Sequence, residues 1–165
     1  MDNTGQKVDY AGRTVDLLLL KTVLNVPAVS QRVGIDVTDV VGEPMIVSGI
    51  EKMVQRYAIA FINSLGSTKF MPNHGTNLIP AAASGRIYDM NSLEVEASEA
   101  NLLAMRQLEN ADFGMETPDD ERLVNSEVAG LEFIREKALA RISVKLTSAA
   151  GKSFVYIIPV PVGVN

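Results

Sequence analysis

The sequence predicts an α+β protein: amphipathic helices packed on a small mixed or antiparallel sheet, with a C-terminal two-stranded unit. Three observations predict it. Ile50, Met53, Val54, Tyr57, Ala58, Phe61, Ile62 and Leu65 recur at the spacing that lines one face of a helix. Ile142, Val144 and Leu146 alternate with Ser143, Lys145 and Thr147, the period of a half-buried strand. Between them stand two further helix starts, one near Asn91 or Ser92 and one at Thr117-Pro118.

Composition limits the class. A chain of 165 residues, 47% hydrophobic, can bury a core as one domain. No apolar run reaches transmembrane length, and the candidate over residues 15–20 is far too short to span a bilayer. The first residues include Asp2 and Asp9 and lack the basic-then-apolar order of a secretory signal, so export is not expected. With no cysteine, disulfides, thiolate metal sites and thiol catalysis are all excluded. Charge is uneven. Residues 89–165 hold 7 Lys/Arg against 13 Asp/Glu, and ten of those acids fall in residues 89–121 beside a single base, Arg106. Such a surface repels nucleic-acid backbones and anionic lipid, so neither is an expected partner. The block reads either as a solvated face or as a docking face for a basic partner.

In chain order, residues 1–12 are polar, and Val15, Leu17, Leu18, Leu19 and Leu20 within residues 13–22 fit a buried strand or part of a helix, with the strand preferred. Val33, Ile35, Val37 and Val40 suggest a short extended piece. Residues 44–47 read as a strand feeding the main helix. Ser48 with Glu51 is a capping-box pattern for its start, and Gly66 is expected to stop it. The following loop carries Pro72, Asn73 and Gly75, and His74, the only histidine. No partner set for a metal stands near His74, since zinc needs three or four ligands, so it is read as structural. Residues 79–89 read as a loop or short helical turn.

The next helix is expected to carry Glu94, Glu96 and Glu99 near its start, with Val95, Leu102, Leu103, Met105 and Leu108 as its apolar set. Thr117, Pro118 and the acids after them predict another helix, with Val124, Val128, Leu131, Ile134 and Ala138 as its buried stripe and Arg135, Lys137 and Arg141 at its end. Gly130 within it would allow close approach to a neighbouring helix. A hairpin closes the chain: a strand from Ile142 to Leu146, a turn over residues 148–152, and a return strand from Phe154 to Ile158. Pro159 and Pro161 are expected to end regular pairing and leave Val160, Val162 and Val164 as an extended arm.

This order resembles the sheath-initiator family of contractile-tail phage baseplates, small wedge proteins often labelled lysozyme-like, with a counterpart in type VI secretion. The likeness covers residues 44–162. It rests on Ile46 to Leu65, on the Gly75-Thr76-Asn77-Leu78 turn, and on Arg141-Ile142 entering the hairpin. Family members carry Glu-Pro-Arg where this chain has Leu139-Ala140-Arg141, so only the arginine is shared. The insert over residues 80–116 is longer and more acidic than the family pattern.

The resemblance divides the chain into an N-terminal extension, residues 1–43, with no fold assigned, and a sheath-initiator-like α+β domain, residues 44–165. It implies a sheath-like (handshake) hairpin and structural work without catalysis or cofactor. The implied partners are the tail sheath protein by strand addition, baseplate wedge proteins, and tail tube proteins nearby. Several copies would sit in a symmetric assembly, in the virion baseplate after assembly in the host cytoplasm. The implied partner-binding residues are Arg141, Ile142, Val144, Leu146, Phe154, Tyr156, Ile158, Val160 and Val162. The alternatives are a peptidoglycan-hydrolysing enzyme or a soluble adaptor module. An enzyme of that kind needs paired carboxylates in a sugar cleft. Carboxylates are plentiful in Glu94, Glu96, Glu99, Glu109, Asp112 and Glu116, but no apolar pocket is implied and there is no Trp to stack on sugars.

Overall fold

Helices cover one face of a three-stranded antiparallel sheet, and the class is α+β as expected. The computed structural model describes residues 16–17 and 46–162. β1 (Asp16–Leu17) pairs antiparallel with β2 (Ile46–Val47), which leads into α1 (Gly49–Ile62). The extended piece expected over Val33 to Val40, and Val164, lie outside the described residues.

α1 buries Met53, Tyr57 and Phe61 fully, as its spacing predicts. It also buries Gln55 and Ala60 from its other side, so α1 runs through the protein rather than over its surface. Its ends differ from expectation. Ser48 makes no side-chain cap. Instead the Gly49 N–H donates to Glu121 Oε1 at 3.1 Å, and Lys52 Nζ lies 3.0 Å from Glu121 Oε2. A distant buried carboxylate therefore satisfies the helix start. The helix stops at Ile62, one turn before Gly66, so Leu65 is exposed beyond it.

The loop returns to the end of α1. The Thr76 N–H donates to Asn63 O (2.7 Å), the Leu65 N–H to Thr76 O (2.9 Å), and Thr76 Oγ1 to Phe61 O (2.7 Å). α2 (Leu78–Ala83) follows as a short helix. α3 (Met90–Asp112) is capped two or three residues earlier than predicted, by Asp89, through a reciprocal capping box with Ser92. The Ser92 backbone N–H, with its hydroxyl, holds the Asp89 carboxyl below the usual carboxylate range.

The buried stripe of α3 is Leu93, Ala97, Ala100, Ala104 and Leu108. Val95 and Leu102, expected inside, are exposed. Small residues on this face let α3 lie close to α1 and the sheet. Glu96 is buried too, bonded to Arg86.

The predicted helix from Thr117 is a correction. Pro118 O accepts the N–H groups of Glu121 and Arg122, which makes one tight turn, and the chain then becomes β3 (Leu123–Ile134). A 3₁₀ turn (Arg135–Lys137) and a left-handed Ala138 (φ 48°) connect it to β4 (Leu139–Ser148), and β5 (Ser153–Pro161) returns. Strand order is β3-β4-β5. Gly130 therefore sits in a strand opposite Ser143, not between helices.

Candidate strand-addition interface

The sheet sets every residue of the candidate site by parity. β4 and β5 pair without a register shift, Ala140 opposite Val160 and Leu146 opposite Phe154. At one end the Ser148 N–H donates to Lys152 O, and at the other the Val162 N–H donates to Ala138 O, both at 2.9 Å. Antiparallel residues turn their backbone groups to alternate sides. Even-numbered residues of β5 therefore face β4, and odd-numbered residues face away from it.

Ile142, Val144 and Leu146 are fully buried on β4, and Tyr156, Ile158, Val160 and Val162 line the same core face on β5 and just beyond it. Phe154 is half-buried beside them. These eight residues, expected to bind a partner, sit together as the wall of the core. Their backbone groups close the β4–β5 ladder. Arg141 lies on the opposite face, with its Nη1 donating to Glu132 Oε2 at 3.0 Å. Lys145 and Glu127 form a second cross-strand pair there at 3.7 Å.

Two expectations about this unit are corrected. The unit has three strands, so β4 is central and neither of its edges is open. The prolines do not end the ladder, because β5 continues through Pro161. Pro159 and Pro161 are odd-numbered, so the donors they lack would have pointed away from β4. Val160 and Val162 are consequently core residues and not an arm.

The open edges are the outer sides of β3 and β5. The β3 edge is irregular. Its register shifts between Leu123 and Asn125 and again between Val128 and Gly130, and Asn101 Nδ2 of α3 occupies Ser126 O at 3.2 Å. Bulges of this kind end regular pairing. The β5 edge is straight, and among the described residues no strand pairs with it. Ser153, Val155 and Ile157 turn their backbone groups out, and the Val155 and Ile157 side chains are 53% and 43% exposed. Sequence reading missed these three residues because β5 is apolar on both faces. The signal that could have found them is the pair of prolines two residues apart.

Elsewhere, an open groove of about 490 Å³ between the loop after α1 and the end of α3 is lined by Arg56, Ile59, Met71, Pro72, His74 and Gln107. Arg56 is committed to Asp112 at 2.6 Å, and Gln107 holds Gly75 through two hydrogen bonds. Among the described residues no group of three His, Asp or Glu side chains is placed to hold a metal, and no helix is long and apolar enough to cross a membrane.

No family model and no curated protein matches the chain. Among solved structures, the chain is similar to a Geobacter sulfurreducens protein assigned, by name only, as a tail lysozyme. The identity is 13% and the TM-score 0.45, over 72% of this chain and 96% of that one. At that distance the likeness assigns no role.

Proposed function

We propose that this protein is a structural component of a contractile phage tail baseplate. It joins the wedge and core bundle around the tail tube and starts sheath assembly by accepting a strand from a sheath subunit. The observation that carries this reading is the straight, regular outer edge of β5, with which no strand among the described residues pairs, while the β3 edge is broken by register shifts. Such an edge pairs readily with another chain, gaining affinity from backbone hydrogen bonds and selectivity from alternate side chains. The resemblance of residues 44–162 to sheath initiators supplies the kind of partner.

In this reading the chain does no catalysis and needs no cofactor. Its buried carboxylates already have structural work: Glu96 bonds Arg86, and Glu121 serves Lys52 and the start of α1. Wedge proteins bind elsewhere on the domain, tube proteins lie nearby, and several copies ring the tube. Nucleic acid and membrane are not partners.

The test is particle assembly with Ile157→Pro, which deletes an outward donor while leaving β4–β5 pairing intact. Baseplates with tubes but no ordered first sheath ring are expected. Normal contractile tails would overturn the reading, as would peptidoglycan turnover by the purified protein.

A further inference from the structure

The outer edge of β5 is divided. Over residues 153–157, Ser153, Val155 and Ile157 each turn an N–H and a carbonyl outward. Beyond them, Pro159 and Pro161 turn out only carbonyls, because proline has no N–H. All the prolines of β5 fall on outward positions. A proline at an inward position would remove a ladder bond to β4, whereas at these two it removes donors from the free edge alone. The pyrrolidine rings also stand where the carbonyls of an added strand would need donors. The β4 ladder meanwhile continues past both, to Val162. The fold therefore keeps a nine-residue strand but offers only its first part for pairing.

The exposed side chains agree with that division. Val155 and Ile157 are β-branched and stand on the sheet's solvent face, opposite Lys145 and Ser143. They are suited to cross-strand contact with apolar or β-branched side chains of an incoming strand.

We propose that Pro159 and Pro161 determine specificity at this edge, confining strand addition to residues 153–157. The edge takes a short extended segment of a different chain with apolar or β-branched side chains beside Val155 and Ile157. It refuses longer edge-to-edge pairing with a second copy of itself. This rests on the reading of β5 as an acceptor edge.

The test needs no sheath protein, so its failure is distinguishable from failure of the assembly role. The full chain and its Pro159→Val/Pro161→Val variant are compared by sedimentation velocity at high micromolar concentration and by amide hydrogen exchange. The parent chain is expected to be monomeric, with fast exchange at Val155 and Ile157. The variant, with two donors restored, is expected to dimerise, and protection at both amides to rise by about tenfold or more. Adding Val155→Pro to the variant should return it to a monomer. Pro159→Ala/Pro161→Ala, which restores the donors with a smaller side chain, should dimerise as well. A variant that stays monomeric with unchanged exchange would overturn the proposal. So would a parent chain that already pairs through this edge.

Discussion

Gly75 turns with φ +107°, and a Cβ there would stand 2.6 Å from Asn63 O. The same residue donates its N–H to Gln107 Oε1 at 2.9 Å and accepts from Gln107 Nε2 at its carbonyl at 2.8 Å. One glycine thus lets the loop dock on the end of α1 and lets α3 hold the loop. Gly75→Ala is expected to cost about 1–3 kcal/mol from the backbone conformation alone, with the clash adding to it. Chemical denaturation would read it as a lower midpoint with unchanged slope. Tyr57 is the second residue with a measurable signature. Its hydroxyl donates to Asn101 Oδ1 at 2.5 Å inside the α1–α3 contact, and burial raises its pKa well above the ordinary value. The folded state therefore keeps the phenol proton where the unfolded chain loses it. This contribution is fully present below about pH 10 and falls above it by up to about 1.4 kcal/mol per pH unit. Tyr57→Phe should lower stability at neutral pH, through the lost hydrogen bond, yet flatten the alkaline decline. A decline as steep in the variant as in the parent would show that Tyr57 does not carry it.

Among the elements, the helices were legible where apolar residues are large, and illegible where they are small. α1 was found by its stripe of Met53, Tyr57 and Phe61. The true stripe of α3 is mostly alanine, so the larger apolar residues Val95 and Leu102 draw a pattern reading to the wrong face. β3 does not read as a strand, for a physical reason. Its two register shifts put Leu123, Ser126, Val128, Leu131 and Phe133 on the core side, a spacing alternating between three and two residues. That spacing hides the strand period, while Val124, Val128, Leu131, Ile134 and Ala138 after the Thr117-Pro118 start fall at helical spacing, although only Val128 and Leu131 of these are on the core side and Val124 is exposed. Only a long-range ladder with β4 decides for the strand. The same ladder sorts proline variants by parity. Val144→Pro lies on the central strand, points its lost donor at β5, and is expected to cost at least about 3 kcal/mol. Ile157→Pro loses a donor that faces away and should cost about 1 kcal/mol or less. Equal losses in thermal or urea unfolding would contradict the assignment of which β5 residues face outward.

For the whole molecule, the helices and the inner face of the sheet form one core, and the sheet is left with one ragged edge and one straight edge. The hairpin was legible from alternation, and so was its apolar face. Which side of that hairpin remained open was not, because edge status depends on the third strand and on α3, both distant in sequence. Eight of the nine residues that pattern reading assigns to a partner line the core, and under the proposed strand addition the positions that would face the partner are Ser153, Val155 and Ile157.

The most direct measurement is a reconstruction of the assembled particle that resolves β5 beside the first sheath ring. A sheath segment is expected as a further strand against residues 153–157, hydrogen-bonded at Val155 and Ile157 and departing before Pro159. A β5 edge left in water, with the sheath contacting another face of this chain, would contradict it.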